Sequence, residues 1–216
     1  MKNLFVVIML LMFSSSVVGA AAPAISVESA GPKVQIRATV DAILDELHAE
    51  DEDHLLKRQK ISDLIRDNFD FKIMAQGALG RQWRSVTVNE RARFVELFID
   101  QLEETYLGRL RAYTDQTVSY GSENIRKNRA VVETFIEDAG VKIPITYKLL
   151  PRGSDWLVYD VVIEEVSMIR NYRSTYGDIL RRKGMAQLLE DMAQKIDDLK
   201  KRNGAEFGEN HDAKQA

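Results

Sequence analysis

Cysteine is absent from this 216-residue chain, so no disulfide can form and stability has to come from core packing. The composition suits that task, because 45% hydrophobic and 29% charged residues are ordinary for a globular domain. An excess of positive charge is also absent: 30 Lys and Arg stand against 33 Asp and Glu, a net charge of -3. Binding to a phosphate backbone needs dense Lys and Arg, so we expect no nucleic-acid partner.

The short motifs of common enzymes are missing as well. There is no Gly-x-Ser-x-Gly elbow, Ser-x-x-Lys, His-Glu-x-x-His, dinucleotide glycine pattern or phosphate loop. The three histidines are His48, His54 and His211, and their spacing does not put the first two on one helical face. These absences argue against hydrolases, metalloproteases and nucleotide-driven enzymes, and we predict a protein with no catalytic or metal site.

The N-terminus has the pattern of a secretory signal peptide. Lys2 precedes an apolar run from Leu4 to Phe13, which Ser14 and small residues follow. We expect residues 1–22 to be removed, by cleavage after Ala20 or Ala22. An uncleaved anchor is the alternative, but the run is shorter than the roughly 20 apolar residues that a spanning helix needs. No cysteine follows the run, so we expect no lipoprotein attachment.

The first half of the chain has the period of helices. Apolar residues recur every three or four positions from Pro32 to Leu47, around Ile61, and after the Phe69-Asp70-Phe71 block. Thr87 and Glu90 have the spacing of a capping box, which predicts the start of the longest helix. The apolar stripe of that helix consists of Phe94, Leu97, Phe98, Leu102, Tyr106, Leu110 and Tyr113.

The second half predicts strands and then helices. Strands are predicted over residues 118–125, 128–137, 141–150 and 156–166, and their short connections favour an antiparallel meander. Two helices follow, from Ile169 to Lys183 and from Met185 to Leu199, separated by Gly184. This order predicts the α+β class: a curved, mainly antiparallel four-stranded sheet packed on N-terminal helices and closed by two C-terminal helices. We predict a single domain over residues 23–202 and a disordered tail over 203–216.

The strand at 156–166 is apolar on both faces. Strict alternation places Leu157, Tyr159, Val161 and Ile163 on one side and Trp156, Val158 and Val162 on the other. An antiparallel sheet usually leaves its second face to water. A second apolar face therefore indicates a further packed layer or a cavity that holds an apolar ligand.

Several blocks of the sequence carry a resemblance to a known family. They are Trp156-Leu-Val-Tyr-Asp-Val-Val-Ile-Glu-Glu-Val-Ser, Asn171-Tyr-Arg-Ser, Phe69-Asp-Phe-Lys-Ile-Met and Leu79-Gly-Arg-Gln-Trp. In this order they resemble the MlaC family, also called the toluene-tolerance auxiliary family, over roughly residues 34–199. The resemblance implies an NTF2-like α+β fold with a deep apolar pocket.

The resemblance also implies a function and partners. It implies a soluble periplasmic protein that carries phospholipid between the two membranes of a Gram-negative envelope and so maintains lipid asymmetry. Implied partners are an inner-membrane ABC transporter complex with an MCE-domain component and an outer-membrane lipoprotein associated with porins. Hopanoid-associated relatives share the same blocks, so the class of lipid stays open.

A lipid cargo sets a physical requirement. A diacyl phospholipid has about 30 methylene groups, and at about 0.8 kcal/mol each a carrier must replace on the order of 20 kcal/mol of membrane burial. Only a deep, largely enclosed pocket does that, and no cofactor is needed beyond the bound lipid. The predicted lipid-binding residues are Leu102, Tyr106, Tyr147, Val158, Val161, Ile163, Val166, Tyr172, Tyr176, Ile179 and Leu188. Arg173 is predicted to meet the phosphate, with Arg170 and Arg181 as further candidates.

Two other functions fit the same residues. Asp160 is a carboxylate in an apolar strand, which suits a general base in a small NTF2-like enzyme that acts on an apolar substrate such as a polycyclic lipid. Its structural alternative is a position near a sheet edge or an ion pair with an arginine such as Arg173. The other function is an adaptor whose apolar surface binds protein.

Overall fold

The computed structural model describes residues 31–49, 53–107, 117–138 and 140–212, with the backbone alone for residues 138 and 205–212. The predicted signal peptide lies outside the described residues. So do Leu110 and Tyr113 of the predicted helical stripe and the last four residues of the predicted tail.

The described chain divides into two compact units. The sheet unit consists of α1 (Pro32–His48), α2 (His54–Asn68), β1 (Thr117–Arg126), β2 (Arg129–Asp138), β3 (Val141–Arg152) and β4 (Asp155–Ile163). The helical unit consists of α3 (Phe71–Leu79), a 3-10 helix (Gly80–Arg84), α4 (Val88–Tyr106), β5 (Val166–Ser167) and α5 (Met168–Asp212). The single domain over residues 23–202 stays a prediction.

The four strands of the sheet unit follow one another in sheet order, from β1 to β4. Each of the pairs β1/β2, β2/β3 and β3/β4 is antiparallel, so the predicted meander and the α+β class are confirmed. The predicted fourth strand is wrong at its end, because β4 stops at Ile163 rather than Val166. Glu164 and Glu165 both have positive φ angles, 47° and 67°, which an extended strand does not accommodate. The two-residue β5 follows this turn and was not predicted.

A β-bulge in β4 changes which residues share a face. Lys148 of β3 lies opposite Asp160, and Leu149 lies opposite Val158, so Tyr159 is the extra residue. Alternation resumes one residue later on β4. Val158 and Val161, which strict alternation places on opposite faces, therefore lie on the same face.

That face, which we call the apolar face, belongs to β2, β3 and β4. Its members are all buried: Ala130, Val132, Thr134, Ile136, Ile143, Ile145, Tyr147, Leu149, Val158, Val161 and Ile163. Tyr120 of β1 lies opposite Thr134 and shares the face. Its hydroxyl donates to Asp41 of α1 at 2.7 Å, and the guanidinium of Arg37 lies 4.1 Å from its ring centroid. Helix α1 therefore lies on the apolar face, as predicted for the N-terminal helices.

The Phe69-Asp70 block is fixed to β4 by its backbone. Phe69 forms a parallel bridge with Val158, and the Asp70 amide donates to the Val158 carbonyl at 2.8 Å. The Asp70 carboxylate is buried and accepts from Nε of Arg152 at 2.8 Å. A charge-assisted bond of this kind orients the end of α2 against the sheet.

Helix α4 begins with the predicted capping box. The Glu90 amide donates to the Thr87 hydroxyl at 3.2 Å, and the Thr87 amide donates to the Glu90 carboxylate at 2.7 Å. The Thr87 hydroxyl also donates to the Glu90 carboxylate, at 2.8 Å, and the two bonds that this carboxylate accepts from Thr87 lower the pKa of Glu90. The predicted start of this helix is confirmed, but the prediction that it is the longest is wrong, because α4 has 19 residues and α5 has 45, divided at Gly184.

Helix α5 is interrupted where the sequence predicts a stop. Gly184 has φ 80° and ψ -177°, so two helical segments meet there. The predicted tail is wrong at its start, because the second segment continues to Asp212. Asn203 is only 2% exposed, and its amide donates to the Glu104 carbonyl at 3.0 Å and to its carboxylate at 2.9 Å. A buried amide with these two bonds is part of the packed unit.

Gly77 allows close contact between α3 and α5. A Cβ at Gly77 would lie 2.8 Å from Cγ2 of Ile169, closer than packed side chains allow.

Within the described part of the chain, none of the helices is long and apolar enough to cross a membrane.

Candidate functional site

The sheet unit places one group of predicted lipid-binding residues side by side. Tyr147 lies opposite Val161, Ile163 lies opposite Ile145, and Val158 lies opposite Leu149. All lie on the apolar face and are at most 9% exposed. Burial raises the pKa of the Tyr147 hydroxyl, so this group presents an uncharged surface.

The helical unit places the predicted tyrosines in an aromatic cluster with two residues of α4. We call Phe94, Phe98, Tyr172 and Tyr176 the aromatic cluster. Tyr176 meets Phe94 edge-on with ring centroids 5.5 Å apart, and Tyr172 meets Phe98 edge-on at 5.4 Å. Tyr172 and Tyr176 lie 5.4 Å apart on successive turns of α5. Edge-on pairs of this kind are favourable beyond the area they bury.

Polar side chains of α4 lie beside the aromatic cluster. Gln101 is 1% exposed, and Gln101, Thr105 and Tyr106 are close enough to Tyr172 to act on its pKa. Burial is the main reason that the pKa values of Tyr172 and Tyr176 are raised, and neighbouring tyrosines add to the rise. Both hydroxyls are therefore neutral over the physiological range and available as hydrogen-bond donors.

The other predicted lipid-binding residues of the helical unit vary in burial. Leu102 on α4 and Leu188 on α5 are buried, at 6% and 0% exposed. Ile179 is half-buried on α5. Val166 is 46% exposed at the start of the short β5. Leu102 and Leu188 therefore have the burial expected of an apolar wall, and Val166 does not.

The predicted phosphate contact Arg173 has a structural partner in this unit. Its Nε donates to the Gly77 carbonyl at 2.6 Å, and its side chain packs over Gly80. Arg181 forms an ion pair with Asp178 three residues earlier. Arg170 and Arg173 are both exposed. The contact of any of these arginines with a lipid phosphate stays a prediction.

Asp160 forms an ion pair within the sheet, but with a lysine and not with Arg173. The Nζ of Lys148 lies 2.8 Å from its carboxylate, and the two side chains are 29% and 7% exposed. The pair lies on the face of β4 opposite Val158 and Val161. The Asp160 carboxylate is thus paired with a cation on the face of β4 that points away from the apolar face. This position argues against a general base in an apolar cavity.

Gln101 and Thr105 were not among the predicted site residues. Both interrupt the apolar stripe of α4 at helical spacing, since Gln101 follows Phe98 by three residues and Thr105 follows Gln101 by four. A polar residue within such a stripe is the signal that was available in the sequence.

In the part of the chain that the structure describes, no three His, Cys, Asp or Glu side chains lie together as a metal site would require.

The fold and these two buried groups define an α+β protein with extended apolar surfaces and no recognisable catalytic constellation among the described residues. Residues 37–194 match the model of a family described as MlaC protein. The match covers well over half of the sequence, and the chain therefore belongs to this family.

Two relatives extend the comparison. A protein of Haemophilus influenzae strain Rd, described as intermembrane phospholipid transport system binding protein MlaC, is 28% identical over 128 residues. That alignment covers 54% of this chain and 57% of the relative, so the chain spans little more than half of that protein. A Ralstonia solanacearum structure, described as a phospholipid-binding protein in complex with a phospholipid, matches with a TM-score of 0.72. It is 24% identical, and the match covers 79% of this chain and 99% of that one, which shows a shared fold.

Proposed function

We propose that this protein is a periplasmic phospholipid carrier that moves lipid between the inner and outer membranes and has no enzymatic activity. The observation that carries the proposal is membership of the MlaC family over residues 37–194. The relative from Haemophilus is described as part of an intermembrane phospholipid transport system, and the structural neighbour as a complex with phospholipid. The proposed partners are the inner-membrane ABC transporter with its MCE-domain component and the outer-membrane lipoprotein-porin complex.

The energetics of the cargo support a protein of this composition. Moving a diacyl lipid out of a bilayer into water costs a free energy on the order of 20 kcal/mol, because its tails lose their apolar surroundings. A carrier therefore needs large apolar surfaces that shield the tails. The sheet unit has aliphatic side chains on β3 and β4 that are shielded from water, and the helical unit has aromatic side chains on α4 and α5 that are shielded likewise. Tyrosines that remain uncharged at physiological pH are compatible with such surfaces.

The enzyme alternative has less support. It rests on Asp160, whose carboxylate is 2.8 Å from the Lys148 ammonium. A carboxylate that is paired with an ammonium group within a sheet serves a structural purpose. We therefore assign Asp160 to the stability of the sheet.

A vesicle assay tests the carrier function. Donor vesicles contain a fluorescent phosphatidylethanolamine at self-quenching density, and acceptor vesicles contain none. We expect the rate of transfer to rise in proportion to the concentration of added protein. Ile179→Lys, which places a charge at a half-buried predicted contact, should lower that rate at least about fivefold, since charge is costly in an apolar site.

The matched control is Ile125→Lys, at a position that is 49% exposed on β1. Its transfer rate should equal that of the wild-type protein, and circular dichroism should show that both variants are folded. A wild-type protein that leaves the transfer rate at its spontaneous value would contradict the proposed function.

A further inference from the structure

Three buried polar atoms near the aromatic cluster have no hydrogen-bond partner among the described residues. They are the Tyr176 hydroxyl, Oε1 of Gln101 and the Thr105 hydroxyl. All three belong to the helical unit, and their residues lie on two helices, α4 and α5. Gln101 is close enough to Tyr176 to act on its pKa, yet no bond of ordinary length and angle reaches the Tyr176 hydroxyl.

Such atoms are unusual in the interior of a folded protein. Most buried side-chain polar atoms have a partner, and one left without a partner costs about 1–3 kcal/mol of desolvation. Gln101 and Thr105 are one helical turn apart on α4, and both lie beside Tyr172, which is one turn before Tyr176 on α5. Three unpartnered polar atoms in one region, with Tyr176 only 3% exposed, indicate a site that receives a polar group.

The electrostatics of this region favour an uncharged group. The residues that act on the pKa values of Tyr172 and Tyr176 are Gln101, Thr105 and other tyrosines, with no cation among them. Burial raises both pKa values, so a charged phosphate or carboxylate would meet neutral donors in an environment of low polarity. Placing a charge there would be costly, whereas a neutral carbonyl oxygen needs one or two donors.

We infer that Tyr176, Gln101 and Thr105 form a polar subsite that receives an ester carbonyl of a bound diacyl lipid. This inference rests on the proposed function and deepens it, because it assigns the glycerol ester region of the cargo to a place in the helical unit. The Tyr176 and Thr105 hydroxyls donate to carbonyl oxygens. The Gln101 amide can donate as well once its end group is rotated so that the NH2 group, and not the oxygen, faces the carbonyl.

The test compares two lipids that differ in one chemical feature. The probes are phosphatidylethanolamine with two ester-linked chains and its analogue with ether-linked chains of the same length, which lacks both carbonyls. Dissociation constants are measured for the purified full chain after its lipid has been removed. We expect the wild-type protein to bind the ester lipid about 3- to 10-fold more tightly, the range of one hydrogen bond of ordinary strength.

Two tyrosine variants separate the subsite from general effects. Tyr176→Phe should lower the ester preference below that of the wild-type protein, because one of the donors is gone. The lipid-free Tyr176→Phe protein should melt at the wild-type temperature or above it, since the hydroxyl has no partner to lose. Tyr159→Phe removes a half-buried hydroxyl from β4 of the sheet unit and should leave the ester preference unchanged.

The outcomes distinguish this inference from the proposed function. Equal binding of ester and ether lipid by the wild-type protein, or an ester preference that is undiminished in Tyr176→Phe, would overturn the subsite and leave the carrier function intact. Binding of neither lipid by the wild-type protein would overturn both.

Discussion

Phe98→Ala is expected to lower the free energy of unfolding by about 3–5 kcal/mol, the range for truncating a fully buried aromatic side chain. Phe98 is 0% exposed. Its ring lies 5.8 Å from Phe94, 5.4 Å from Tyr172 and 6.4 Å from Tyr176, so one truncation removes contacts with every other ring of the aromatic cluster. Urea unfolding followed by circular dichroism at 222 nm measures the loss as a shift of the midpoint.

The matched control is Phe135→Ala on β2. Phe135 is half-buried, and the centroid of its ring lies 4.6 Å from Nζ of Lys142. Truncation there leaves no closed cavity, so we expect a loss of about 1 kcal/mol. Equal losses for the two phenylalanines would contradict the central role of Phe98 in the helical unit.

Lys148→Met is expected to lower the free energy of unfolding by about 1–3 kcal/mol, although methionine fills a similar volume. The change leaves the Asp160 carboxylate, 7% exposed, without the ammonium that lies 2.8 Å away. Removing one member of a buried ion pair is more costly than removing both. The estimate is below that for a fully buried pair because the Lys148 side chain is 29% exposed.

The double variant Lys148→Met, Asp160→Leu tests this explanation. It replaces the pair with apolar side chains and should recover most of the lost stability, to within about 1 kcal/mol of the wild-type protein. Additive losses in the double variant would show that the ion pair is not the reason for the first effect. Retained lipid transfer in a folded Asp160→Leu protein would also count against Asp160 as a general base.

Local signals in the sequence were enough for most of the elements. The helical period of α4, its capping box at Thr87 and Glu90, and the break at Gly184 each depend on residues within a few positions of one another. Strand alternation on β3, from Ile143 to Leu149, is equally local and is confirmed. Such short-range rules hold because backbone propensity and burial favour the same structure.

The β-bulge at Tyr159 could not be predicted, because it depends on how β4 pairs with β3. Strict alternation separated Val158 from Val161, while the bulge puts both on the apolar face. The partner of Asp160 was wrong for the same reason, since Lys148 is its neighbour only through the register of β3 and β4. The burial of Asn203 could not be predicted either, because it depends on a hydrogen bond to Glu104, 99 positions away in the chain.

Part of the candidate site could be found from the sequence. The predicted tyrosines at 172 and 176 lie together in the aromatic cluster, and the aliphatic residues at 158, 161 and 163 share the apolar face. Gln101 and Thr105 were missed because periodicity was counted over apolar residues alone. A polar residue at a core position of an amphipathic helix is a separate signal, since burial without a partner is costly.

Native mass spectrometry of the protein purified without detergent from the periplasm of a Gram-negative host tests the carrier function most sharply. We expect a complex heavier than the polypeptide by the mass of one diacyl phospholipid, which extraction releases and fragmentation identifies. A protein that is lipid-free in this measurement, and that still takes up no phospholipid from vesicles, would contradict the carrier function.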